Sequence, residues 1–120
     1  QMPGQIGADQ RVVAARALLA RDDRPTAVVA YELTEGMAVV HAARELGLRI
    51  PEDLSLVQFH NGLDDRCYIP VQTVSNVMEA LGAEAVGLLL RKIEDPETAL
   101  PARAVPVEML EGATCLPPRT

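Results

Sequence analysis

The sequence predicts an α/β domain, a parallel sheet flanked by helices. Three observations carry that expectation. Two short apolar runs, Thr26 to Tyr31 and Leu54 to Phe59, are nearly continuous rather than alternating, as strands buried on both faces must be. A stretch with helical periodicity separates them, giving strand, helix, strand, a unit whose crossover is right-handed. A length of 120 residues suffices for one small domain with one core.

Taken in order, Val12, Ala15, Leu18 and Leu19 repeat at helical spacing and predict a first helix from about Asp9, its N-cap, to Arg21. Asp22-Asp23-Arg24-Pro25 breaks it before the first strand. A second helix is expected from Thr34 to Leu46 with a stripe of Met37, Val40, Ala43 and Leu46. Gly47 is placed for a left-handed cap, and Pro51 forbids continuation. The second strand follows, then a loop from His60 to Pro70 and a short strand at Gln72 to Val74. Asn76 with Glu79 resembles a capping box opening the longest helix, to about Ile93, with Val77, Leu81, Ala85, Leu88 and Leu89 facing inward. A last strand from Val105 to Leu110 contains Pro106, which marks an edge strand or a bulge.

Charge and composition exclude several classes. With 11 basic and 17 acidic residues the net charge is −6, and no Lys/Arg cluster exists beyond Arg91-Lys92, so this segment is not expected to grip nucleic acid. No apolar run approaches the length of a membrane span, and the N-terminus shows no signal-peptide pattern. Cys67 and Cys115 lack metal-ligand spacing and read as free thiols of a reducing compartment. No phosphate-binding glycine loop or nucleophile elbow occurs, so the chain is not expected to be an enzyme or to carry a metal or cofactor. Cys67 with His60 as a dyad, and Asp64-Asp65 as a metal loop, are weaker than the plain reading of a solvated loop.

In open parallel sheets, ligands bind beyond the carboxyl ends of the strands. That rule selects Tyr31 and Glu32 after the first strand, and Phe59, His60 and Asn61 at the end of the second. Glu32, His60 and Asn61 offer donors and acceptors, and Tyr31 and Phe59 offer flat faces. The alternative is that Glu32 lies in a solvated turn and His60-Asn61 simply opens a loop.

Several segments, in one order and spacing, resemble the C-terminal core of lactose-repressor-type bacterial regulators. These are Arg24 to Tyr31, Arg44 to Leu56, Cys67 to Pro70 with Thr73-Val74, and Leu81 to Ala85 running into Leu88-Leu89. The resemblance implies a periplasmic-binding-protein-like core of two subdomains around an effector cleft. Residues 1–120 would be its C-terminal subdomain, without the DNA-binding headpiece and most of the N-terminal subdomain. It implies a cytoplasmic repressor, a homodimer, and a small-molecule effector that is a sugar or related compound, with operator DNA touched only through the headpiece. Carried over, the dimer interface would use Met37, Val40 and His41 on the second helix, with Tyr68, Ile69 and Pro70. The chain departs from the family's usual pattern at Glu32-Leu33, where Asn-Asp is usual, and at Gln58-Phe59-His60, where Gly-Phe-Asp is usual. Gly112 stands where an Arg is usual. The rival readings are a solute-binding protein of an uptake transporter and, further off, a flavodoxin-like enzyme.

Overall fold

The computed structural model describes residues 3–61 and 69–118, with side chains from residue 10 onward. Seven elements follow in chain order: α1 (Pro3–Leu19), β1 (Ala27–Ala30), α2 (Leu33–Glu45), β2 (Ser55–His60), β3 (Gln72–Ser75), α3 (Met78–Glu94) and β4 (Glu108–Leu110). The strands form one sheet in the order β1-β2-β3-β4. β1 and β3 both run parallel to β2, whereas β4 is antiparallel to β3, so the predicted parallel sheet is mixed at one edge. Pro106 lies just before β4, at that edge, where a missing N–H interrupts no interior ladder.

The core lies on one face of the sheet only. Val28, Ala30, Leu56, Gln58 and Thr73 point toward α2, and Leu19 of α1 joins Val39, Ala42, Ala43, Leu54 and Leu56 in a single buried cluster. Leu56 is fully buried and contributes about 1.5–3 kcal/mol. The other face carries Val29, Val57, Phe59, Val74 and Met109, and no element covers it among the described residues. Val29 is therefore 68% exposed and Val57 half-buried, although both were expected to be enclosed between helices. β1 is an edge strand, which compounds the effect at Val29.

Helix ends also differ from expectation. α1 begins before Asp9, so Asp9 is an interior residue and not its cap. α2 starts one residue before Thr34, whose hydroxyl donates to Glu35 Oε2 at 3.0 Å instead of capping the helix. Its buried side is Leu33, Gly36, Ala38, Val39, Ala42 and Ala43, rotated from the predicted stripe because α1 and the sheet grip it from two directions. Gly47 does take a left-handed conformation, with φ of 69°. Asp53 closes the connection into β2, accepting from Arg49 N at 2.9 Å and from Arg49 Nε and Nη2. Arg24 Nη1 donates to Asp53 O at 3.1 Å and ties the entry of β1 to that of β2.

The longest departure concerns α3. It is amphipathic as read, but none of its residues is buried, and it packs against no other helix or strand of the described residues. Leu81, Val86, Leu89, Leu90 and Ile93 stand exposed. The return segment follows the helix back, joined to it by Lys92 Nζ donating to Thr98 O at 2.9 Å and an Arg103–Glu84 ion pair at 3.7 Å. The result is an arm. The Cα radius of gyration is 18.8 Å, against about 14 Å for a compact chain of this length. Beyond the arm the chain rejoins the sheet at β4, and buried Thr114 holds it there. Its hydroxyl donates to Leu56 O at 2.6 Å and accepts from Gln72 N at 2.8 Å.

Candidate functional site

Two parallel strands, β1 and β2, end side by side, with Ala30 opposite Gln58 and β2 running on to His60. Strand alternation sends Phe59 to the open face and His60 to the opposite one, beside buried Gln58. Tyr31 leaves β1 as a residue 84% exposed, and Glu32 follows as the N-cap residue of α2 without using its carboxylate to cap. Together with Asn76, these residues line a cavity of about 330 Å³ whose described walls are Tyr31, Glu32, Phe59 and Asn76. Its position, beyond the carboxyl ends of β1, β2 and β3, is the one the sheet rule selects.

Three of the five residues selected from the sequence therefore meet in one cavity. His60 is half-buried and Asn61 exposed, and neither is among the described lining residues. Asn76 was missed as a site residue because its place before a helix suggested a cap. The capping box is absent: α3 begins at Met78, and its N-cap, Val77, is left-handed at φ of 44° with no side-chain cap bond. Asn76 N instead donates to His60 O at 2.9 Å, which fixes it against the end of β2. The carboxyl-edge rule, applied to the third strand as well as the first two, was the signal that would have found it.

Glu32 O accepts from Gly36 N at 3.0 Å, but its carboxylate makes no hydrogen bond or ion pair among the described residues, and no Lys or Arg is among the described lining of the cavity. The neighbouring Glu35 is different. Partial desolvation pushes its carboxyl up, but the Thr34 hydroxyl, its own backbone and the Arg11 guanidinium at 2.8 Å outweigh that and hold it below the usual range. A larger cavity of about 460 Å³ lies at the other end of the strands, between Arg24, Asp53, Ser55 and the tail from Cys115 to Pro118. It faces the amino edge of the sheet, where no parallel α/β rule places a ligand. Cys115 beside it is a free thiol, its pKa pushed up by burial despite the bond from Sγ to Leu56 O at 3.4 Å.

The expected interface residues divide. Val40 and Ile69 are half-buried and pack against the chain's own core. Met37 is half-buried, Pro70 exposed, and His41 exposed with Nε2 at 3.5 Å from Glu45 Oε1. Tyr68 lies outside the described residues, as do Cys67, Asp64 and Asp65.

An α/β lobe with a one-sided core, a polar-aromatic cavity at the carboxyl edge and a helix crossing out of it has known counterparts. The sequence model of the periplasmic binding protein-like domain matches residues 2–115, and the chain belongs to that family. Its relatives are transcriptional regulators, and the resemblance to the C-terminal effector-binding part of lactose-repressor-type proteins is borne out. The HTH-type transcriptional repressor PurR of Vibrio vulnificus is 33% identical over 97 residues, taking in 80% of this chain and 29% of its own length. A LacI family transcriptional regulator from Bifidobacterium animalis subsp. lactis superposes with a TM-score of 0.81 at 27% identity, over 92% of this chain and 41% of the other. The transcriptional regulator CelR, solved with cellobiose, does so with a TM-score of 0.71 at 30% identity, over 89% and 33%. The chain thus spans about a third or less of the length of the curated repressors it matches. These relatives favour a regulator over a transporter's solute-binding protein. No helix among the described residues is long and apolar enough to cross a membrane.

Proposed function

We propose that residues 1–120 form the C-terminal lobe of the effector-sensing core of a cytoplasmic, DNA-binding transcriptional repressor. The single observation that carries this is the cavity of Tyr31, Glu32, Phe59 and Asn76 at the carboxyl edge, beside the start of α3. One lobe supplies half a cleft. The uncovered apolar residues of α3 belong, in this reading, to a second lobe that closes the other half. The effector is a small polar molecule, a sugar or a compound related to one, as the cellobiose complex of CelR supports. His60 and Asn61, at the rim, contact it once the cleft is closed. The protein pairs with a second copy through the α2 surface around Met37, Val40 and His41 and the segment Tyr68 to Pro70. Operator DNA is read by a separate headpiece, consistent with the net charge of −6 here. The protein performs no catalysis and needs no cofactor.

The test uses the full-length protein and DNA from its own promoter region, with binding followed by fluorescence anisotropy across a panel of sugars, amino sugars and small metabolites. One compound should change operator affinity between about 5- and 150-fold, the usual size of such coupling. Tyr31→Ala with Phe59→Ala should abolish that response while operator binding without effector persists. A protein that binds no promoter DNA, or a double variant that still responds fully, refutes the reading.

A further inference from the structure

Aromatic side chains are scarce in this chain and unevenly placed. It has two tyrosines, one phenylalanine and no tryptophan, and Tyr31 and Phe59 both line the carboxyl-edge cavity. Glu32 lines it with them, and its carboxylate has no hydrogen-bond or ion-pair partner among the described residues. Of 11 Lys and Arg residues in the chain, none is among the described lining. Arg11, which reaches the first turn of α2, is already engaged by Glu35 at 2.8 Å.

From these observations we infer that the molecule recognised in this cavity carries a positively charged nitrogen, on an amino sugar or a small organic ammonium. The inference rests on the cavity being the effector site and deepens that reading. A carboxylate withdrawn from water without compensation is expensive, so whatever closes over Glu32 must return charge or hydrogen-bond donors to it. The faces of Tyr31 and Phe59 attract cations through their quadrupoles and add to the same preference. A primary ammonium brings N–H donors and a quaternary one only charge; neither nitrogen accepts a hydrogen bond, so a carboxylate and two aromatic faces suit either. A neutral polyol brings no charge to Glu32 and asks for donors to its many oxygens, and among the side chains of the described walls only the Asn76 amide and the Tyr31 hydroxyl donate. An anionic ligand would face Glu32 with no Lys or Arg among the described walls to offset it.

Two matched pairs test this on the full-length protein by titration calorimetry. Glucosamine is compared with glucose, and choline with its uncharged isostere in which a tert-butyl group replaces the trimethylammonium. The charged member of at least one pair should bind about tenfold more tightly than its neutral partner. Which pair shows the preference identifies the source of the nitrogen. In Glu32→Gln the preference should fall to near unity, with the melting temperature of the parent, because the exposed carboxylate has no hydrogen-bond or ion-pair partner among the described residues. Neutral members binding as tightly as charged ones, a preference that survives Glu32→Gln, or no binding by either charged probe would overturn the inference. A neutral effector found by the promoter-DNA assay would overturn it while leaving the effector reading intact. Failure of every compound in that assay would remove the effector reading as well.

Discussion

The backbone around Gly112 leaves no room for a side chain. A Cβ there would fall 2.5 Å from Val71 C and 2.6 Å from Pro70 O and would also strike Gln72 N. Comfortable carbon contacts lie near 3.5 Å, so relief demands a shift of about 1 Å. All three obstacles are backbone, and a rotamer change cannot clear them. The two segments are also bound together: Gly112 N donates to Gln72 Oε1 at 2.9 Å, Ala113 N to Pro70 O at 2.8 Å and Gln72 N to Thr114 Oγ1 at 2.8 Å. Overpacking costs about 1–3 kcal/mol, and each strained hydrogen bond adds about 1 kcal/mol. Gly112→Ala should therefore destabilise the lobe by about 3 kcal/mol, lowering the melting temperature by about 12 °C in a domain of this size. The measurement is thermal melting by circular dichroism beside a control, Gly47→Ala. At Gly47 a Cβ meets nothing within 4 Å, and the cost is only that of a left-handed alanine, about 1–2 kcal/mol. If Gly112→Ala melts within about 3 °C of the parent, or less far below it than Gly47→Ala, the close approach of β3 and the last segment is refuted.

Two further expectations concern the core and the α1–α2 clamp. A Cβ on Gly36 would strike Oε1 of Gln58, a side chain 1% exposed whose Nε2 is committed to Thr73 Oγ1 at 3.4 Å. Gly36→Ala should cost about 1–2 kcal/mol in the parent, but become favourable by about 0.5–1 kcal/mol in a Gln58→Ala background, where helix propensity alone remains. Additive effects in the denaturant-melt cycle would disprove the contact. The Glu35 carboxyl, held below its ordinary value in the folded chain, stabilises the lobe above about pH 4.5 and loses that contribution as pH falls through the lower folded value. At its partial exposure the effect is a few tenths of a kcal/mol. Parent and Glu35→Gln melting curves should thus differ at pH 7 and converge toward pH 3, and a constant difference would rule the clamp out.

Much of the fold was legible because it follows from local patterns. The two apolar runs became β1 and β2 within a residue or two, Gly47 took its left-handed cap, and Pro106 marked an edge. What covers an apolar face is not local. Val57 and Leu56 look alike in the sequence, yet Leu56 is enclosed by α2 while Val57 lies on the uncovered side. The stripe of α3 was read as facing inward, yet none of its residues is buried. At the site, the carboxyl-edge rule found Tyr31, Glu32 and Phe59. It also grouped His60 with them, because a rule about strand ends ignores the two-residue alternation that separates Phe59 from His60. Asn76 was hidden by its second plausible role as a helix cap.

The departure and return of α3 also bear on the order in which the lobe assembles. β1, α2, β2 and β3 meet through connections that stay close along the chain, whereas β4 must find β3 across the span from Ser75 to Glu108. Closing so long a loop carries an entropy penalty before any pairing rewards it. The helix reduces that penalty, since its 17 residues become a rod of about 25 Å and its end carries the returning chain back along its own side. Thr114, bonded to both β2 and β3, can lock only after that return. Native-state hydrogen exchange should accordingly find the amides of Leu56 and Gln72, which pair with Thr114, opening together with β4 and more readily than the β1–β2 ladder.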